Sequence, residues 1–267
     1  KEISMSTFYN SERLKYNQMN YNNDVELDNF CSQCLLVINA VGPSFKINDK
    51  IALHALRNNC HYIDIGGYGI LRDLLKPYEK SIEAQKLCFI IGVGWMPGIS
   101  GVFSKTIIET HLNSPENTNF NIYYGAVDNW SYSSTYDLAA SSMGKTRSYV
   151  YSHGKEIQVS PFRYTHHKFF PFIGHKKICM PSFDEQLTQL ATSLKQIRKI
   201  STFIMLNDYI SMGKFMFIKI FYKHNLNKAT LMLQDDYQRL VKKENKWGSV
   251  ICQVSKIEPE RKIDTFY

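Results

Sequence analysis

Blocks of apolar and polar positions alternate through the first 110 or so residues. An apolar run at 34–41 (CLLVINAV) stops at Gly42-Pro43, and 48–59 (NDKIALHALRNN) then sets Ile51, Leu53, Ala55 and Leu56 at helical spacing. Residues 60–67 (CHYIDIGG) make a second short apolar run closed by glycines. Residues 70–87 are helical in period but broken at Pro77, where one helix stops and another begins. A third run, 88–93 (CFIIGV), leads into a helix from about Ser100. Strand and helix in turn, three times over in about 80 residues, predict a parallel sheet with crossover connections. Residues 1–9 (KEISMSTFY) read as a further strand, with Asn10 or Ser11 capping a helix over 10–18, so the chain is expected to open in mid-fold.

From about Asn117 the pattern changes. Residues 119–127 (NFNIYYGAV) and 147–160 (RSYVYSHGKEIQVS) are rich in Tyr, Val and Ile, and His153-Gly154 suits the turn of a hairpin. An amphipathic helix at 183–196, a strand at 199–206, a long helix at 227–246 and a last strand at 248–257 predict an α+β unit. The lysine- and aromatic-rich 212–224 reads as a partly buried helix or strand on the sheet or on a twin subunit. The expected organisation is α/β, with a parallel sheet over 1–116 and an α+β substrate or dimerisation unit over 117–267.

Composition narrows the class. With 267 residues, 44% of them hydrophobic, a real core is possible. The sequence shows neither a membrane-length apolar run nor the marks of a leader, which predicts a cytoplasmic protein. Six cysteines spread through a chain of this size read as reduced thiols, and Cys31-x-x-Cys34 has no second pair at zinc spacing, so no metal is expected. Charge is uneven: 11 basic and 12 acidic residues up to 116, against 21 and 12 beyond it. A basic second half fits an acidic small molecule or a solvated surface. With no nucleic-acid motif beside it, neither nucleic acid nor membrane is expected as a partner.

The stretch at 92–98 (GVGWMPG) tests one specific chemistry. A dinucleotide fingerprint needs Gly-x-Gly-x-x-Gly between strand and helix. Gly92 and Gly94 fit, but Pro97 holds the third position and Trp95-Met96 stand where backbone should meet phosphate. The ordered set VINAVGPSFKINDKIALHALRNNCHYIDIGGYGILRDLL and IGVGWMPGISGVFSKTII, about 34–111, resembles the saccharopine dehydrogenase family of saccharopine reductase-like enzymes. In that family a strand ends in Asn-Ala-x-Gly-Pro, the next reads Tyr-x-Asp, and a third ends in Gly-x-Pro-Gly before a helix. Residues 125–141 and 170–174 look like parts of its catalytic domain. The resemblance implies a Rossmann domain for a nicotinamide cofactor, then an α+β domain that holds substrate and often forms a homodimer. Such enzymes reduce an imine or oxidise the corresponding secondary amine. The family's own Gly-x-Gly-x-x-Gly strand is absent from these residues, so its counterpart is expected before Lys1, and Trp95-Met96-Pro97 are expected over the nicotinamide half.

Ligands of an open parallel sheet bind beyond the carboxyl ends of its strands. Val41, Gly42 and Pro43, then Gly66, then Trp95, Met96, Pro97 and Gly98 fall at three such ends and are the cofactor-binding candidates. Tyr9, Asn10 and Arg13 join them, because the end of the first visible strand is where ribose is read. No acid stands there and Arg13 is near, so NADP is expected ahead of NAD. Hydride transfer also needs a proton donor. Asp64 and Tyr68 are candidates from the first half and Asp137 from the second. Arg163, Tyr164 and His166 form a basic group for a substrate carboxylate. His61 opens its strand and is expected at the wrong edge. The function expected is an NAD(P)-dependent oxidoreductase acting on an imine or secondary amine of an amino-acid-derived small molecule. The rival reading is a truncated, non-catalytic relative serving as a binding or oligomerisation module.

Overall fold

The computed structural model describes residues 13–67, 69–111, 118–143, 149–182, 185–193, 197–256 and 263–266. The described chain begins with α1 (Asp24–Cys31), whose cap Asn23 accepts the amides of Val25 and Glu26. Then come β1 (Leu36–Asn39), α2 (Ser44–Ile47), α3 (Lys50–Arg57), β2 (His61–Asp64), α4 (Gly69–Leu75), α5 (Glu79–Ala84), β3 (Phe89–Ile91) and α6 (Ile99–His111). A single 3-10 turn at Lys76–Tyr78 takes up Pro77 between α4 and α5, as the broken period predicts. Of the helix expected over 10–18, the described part has no regular structure, and the strand expected at 1–9 lies outside the described residues.

β1, β2 and β3 form a parallel sheet in that order. Val37 and Tyr62 point to one face, where Leu27, Ile47, Ile51, Ala55, Leu71 and Leu75 from the helices close a core. The other face carries Leu36 and Ile38, 40% and 62% exposed, and Ile90. The apolar runs are thus buried from one side only.

The second half supplies β4 (Thr118–Val127), α7 (Tyr132–Met143), β5 (Tyr149–Ser152), β6 (Lys155–Gln158), α8 (Pro161–Tyr164), β7 (His166–Phe170) and β8 (His175–Ser182). It continues with α9 (Glu185–Ser193), β9 (Ile197–Leu206), α10 (Tyr209–Phe221), α11 (Leu226–Val241), β10 (Trp247–Lys256) and β11 (Ile263–Phe266). These eight strands make one mixed sheet, ordered β11-β10-β4-β9-β5-β6, with β8 also pairing β9 and β7 pairing β8. β4 and β9 run parallel at its centre, so their carboxyl ends lie side by side. The hairpin at His153-Gly154 is as expected, with positive φ at both residues. The strand at 248–257 is not the last, because β11 adds beyond it.

α6 leaves the small sheet: its Ile107 and Ile108 pack with Phe120, Ile122 and Leu187 on the larger one. On the opposite side α7, α10 and α11 cover Ile178, Ile204 and Leu206. Asp208 caps α10 by accepting the amide of Ser211 at 2.9 Å, and Arg239 of α11 forks onto its carboxylate at 2.7 and 2.9 Å. Arg239 also meets the buried Asp236. Burial works against ionisation of Asp208, but the bonds from Arg239 and Ser211 outweigh it and hold the carboxyl at about 2. Its folded value lies below the unfolded one. The stability it adds is therefore complete above about pH 4 and is lost as pH falls towards about 2. Arg239→Ala removes the fork from Asp208 and leaves the buried Asp236 with Lys214 at 3.3 Å; it is expected to cost about 2–3 kcal/mol, and the acid limb of the stability curve, read by urea unfolding from pH 2 to 7, flattens.

Candidate functional site

The site starts from an aspartate in a strand that is otherwise apolar. Asp64 ends β2, is 3% exposed, and accepts from the Asn39 side chain at 2.7 Å, the Tyr62 hydroxyl at 2.6 Å and the backbone amide of Gly67. Asn39, at the end of β1, uses its oxygen for the amide of Val41 at 3.0 Å. Burial and the bond to Asp64 push the Tyr62 hydroxyl far above the ordinary tyrosine range. One buried lattice therefore fixes how the chain leaves two neighbouring strands.

The third tip is fixed by glycine. Gly92 and Gly98 have φ of +69° and +128°, and a Cβ on Gly98 would lie 2.2 Å from the carbonyl oxygen of Gly94. The loop doubles back, with Ile99 N–H donating to Gly94 O at 3.0 Å, and holds out Trp95, Met96 and Pro97. Turn geometry is what the glycines of GVGWMPG supply here: Gly92 and Gly98 take positive φ, and Gly98 closes on Gly94.

The large sheet closes the other side. Asp137 of α7 is buried, and its two oxygens accept the amides of Ser44 at 2.9 Å and Phe45 at 3.2 Å at the start of α2. A Cβ on Gly42 would meet Ser133 at 2.8 Å, so the tip of β1 rests against α7. Gln186 of α9 accepts the Gly98 amide at 2.8 Å. Between the sheets lies a cavity of about 1040 Å³. Its first wall holds Val41, Gly42, Gly66, Trp95, Met96 and Pro97; the second holds Tyr124, Trp130, Ser182, Asn207 and Lys219. Trp95 also borders a shallower hollow of about 620 Å³, whose far wall is Trp247.

Three strand tips expected to share one crevice do so. Pro43 and Gly98 are buried in the turns behind it. Tyr9, Asn10 and Tyr68 lie outside the described residues, and Arg13 is exposed and not on the cavity wall. Arg163, Tyr164 and His166 are not brought to the cavity. Tyr164 lies under the Lys199 ammonium at 5.1 Å, near the start of β9, whereas the cavity meets its end. His166 lies in β7, edge-on to Tyr123 and Phe203, the opposite sheet face from Tyr124 and Ile204. His61 accepts the Cys88 amide at the strands' amino ends, the far edge expected of it.

Tyr124, Ser182, Trp130 and Lys219 escaped the sequence. Tyr124 and Ser182 share a 2.6 Å hydroxyl pair in the cavity wall, and Trp130 stacks on Tyr237 at 4.5 Å. Only Tyr124 and Trp130 carry a readable signal, position at or just beyond the carboxyl end of a central parallel strand, and that needs the β4–β9 pairing first; Ser182 ends β8 and Lys219 lies in α10.

A parallel sheet with a crevice at the carboxyl ends of its strands, leading into a mixed sheet that walls the same crevice, defines a Rossmann-like α/β fold. No family model and no curated protein matches the sequence. Among solved structures, apo saccharopine dehydrogenase (L-Glu forming) from Saccharomyces cerevisiae is similar with a TM-score of 0.59 and 14% identity, over 94% of this chain and 75% of that one. A Bacillus subtilis chain described as a candidate oxidoreductase, YvaA, aligns with a TM-score of 0.35 and 8% identity, over 90% of this chain and 68% of that one. The likeness to the yeast enzyme is one of fold. Among the described residues no helix is long and apolar enough to cross a membrane.

Proposed function

We propose that the chain is a nicotinamide-dependent oxidoreductase of saccharopine dehydrogenase type. It acts on an imine or secondary amine of an amino-acid-derived molecule, with NADP(H) preferred to NAD(H). The observation that carries this reading is the meeting of the β1, β2 and β3 tips with α7 and β4 around one cavity. The residues present suit the nicotinamide half of a dinucleotide: backbone at Val41, Gly42 and Gly66 offers close approach, and Trp95 with Met96 offers an apolar wall. The cofactor, when bound, supplies or accepts the hydride.

In this reading Asp64 and Asp137 position rather than donate. Each takes N–H bonds on both carboxylate oxygens, which leaves them as acceptors that hold the tips of β1 and β2 and the start of α2. The Tyr124–Ser182 hydroxyl pair takes the donor part. Calorimetric titration with NADPH and NADH tests the cofactor assignment: NADPH binds, more tightly than NADH, and failure of both to bind overturns it. Tyr124→Phe is expected to keep dinucleotide affinity and lower turnover of an imine substrate about 100-fold, and unchanged turnover removes Tyr124 from the mechanism.

A further inference from the structure

Lys219 stands apart from every other charged residue of the cavity wall. Arg72 is met by Asp73 at 3.0 Å, Asp137 by two backbone amides, and Asp236 by Arg239 and Lys214. Lys219 has no ion pair or hydrogen bond among the described residues. It lies one helical turn beyond the buried Phe215, on the flank of α10 turned to the cavity that Leu138 and Leu233 also line. Lys223, by contrast, is exposed. Burial lowers the Lys219 ammonium below the ordinary lysine range. A half-buried cation without a counter-ion is unfavourable to folding, and none of the described residues answers it.

We propose that Lys219 is the anchor for a carboxylate of the small molecule that occupies the large-sheet side of the cavity. The proposal rests on the oxidoreductase reading in one respect: a dinucleotide over the tips of β1, β2 and β3 leaves this side for substrate. An arriving carboxylate gives Lys219 its missing counter-ion in a region that excludes much of the water, where a charge-assisted hydrogen bond is short and strong. Leu138, Phe215 and Leu233 line the same cavity, an apolar setting against which a lysine stem packs while its ammonium head stays available to a ligand. Selection is therefore for an acid over its uncharged amide, since the amide brings no charge and leaves the ammonium unanswered.

Succinate and succinamide are the probes, read by quenching of tryptophan fluorescence, with Trp130 in the same wall as reporter. Parent, Lys219→Met and Lys219→Arg are each titrated with both probes and, separately, with NADPH. Succinate is expected to bind the parent at least tenfold more tightly than succinamide, and Lys219→Met to weaken succinate about ten- to a hundredfold. Lys219→Arg keeps succinate binding within about tenfold, and NADPH affinity is the same in all three. Lys219→Met melts at or above the parent temperature because it removes an unpaired charge. The proposal is overturned if the parent does not prefer succinate to succinamide, if Lys219→Met binds succinate as the parent does, or if that variant melts well below the parent. Failure of the parent to bind NADPH overturns the oxidoreductase reading instead and leaves the succinate comparison legible.

Discussion

Asp64→Ala is expected to lower stability by about 3–5 kcal/mol and to abolish measurable NADPH binding. The carboxylate is buried, and its removal leaves the Gly67 amide, the Tyr62 hydroxyl and the Asn39 amide without their acceptor in a space that water does not reach. Each such orphan costs about 1–3 kcal/mol, partly relieved where the groups turn to one another, as Asn39 and Tyr62 can at 3.1 Å. The urea midpoint of the variant gives the first quantity, and calorimetry on the still-folded fraction gives the second. Asp64→Asn separates the parts: its oxygen still accepts from one side, but its NH2 group faces a donor, so an intermediate loss of about 2–3 kcal/mol is expected. If Asp64→Ala instead unfolds with the parent midpoint, the lattice between the strand tips contributes nothing and its role in shaping the cavity goes with it.

The second large effect falls on the turn that carries Trp95. Gly98→Ala places a Cβ among three backbone atoms, the nearest at 2.2 Å, at a φ of +128° that side chains rarely adopt. Backbone cannot rotate aside as a side-chain tip can, so the loop must move, at a cost of about 2–4 kcal/mol. Trp95, Met96 and Pro97 move with it, and NADPH affinity is expected to fall at least tenfold. Gly174→Ala is the control. Its φ is also positive, at +76°, but nothing lies within 4 Å of the added Cβ, so about 1 kcal/mol and no change in binding are expected. Equal effects at the two glycines reduce the 92–98 turn to a matter of φ alone and detach it from the cavity.

How much of this was readable in advance depended on the range over which each feature is decided. The strands at 36–39, 61–64 and 89–91 and the helices between them follow from local period and from turn residues a few positions away. The tips of those strands could be placed together because parallel connection forces all three carboxyl ends to one edge. α1 was missed because its apolar contacts, Leu27 and Cys31, are too few to show a period in eight residues. The 166–170 strand was missed because His-His-Lys-Phe-Phe alternates between faces that both look polar until β8 is laid beside it.

Chemical roles were harder to read than elements. Asp64 and Asp137 are acidic residues at plausible places; the amides that fill Asp137 belong to Ser44 and Phe45, up to 93 residues away, and the Asn39 side chain that meets Asp64 lies 25 residues away, so the sequence does not show that these carboxylates already accept. Arg163, Tyr164 and His166 are close in sequence, yet Arg163 and Tyr164 end the short helix α8 and His166 opens β7, and Tyr164 meets Lys199 near the start of β9, the far end of that strand from the cavity. The reverse holds for Lys219. In the sequence it is one lysine among many in a basic half, and only the packing of α10 against α7 and α11 leaves it facing inward without a partner.

By itself the sequence determined the α/β order of the first half, the edge of its sheet at which the three strand tips meet, and the glycine turn ahead of α6, because these follow from period, chirality and positive φ within short spans. Only the tertiary structure decided that the crevice is closed by a second sheet, that two buried aspartates hold its shape, and that a lysine of α10 carries the unanswered charge. Those features depend on which surfaces meet across roughly a hundred residues, and a chain records such meetings only as hydrophobic positions that fit many partners.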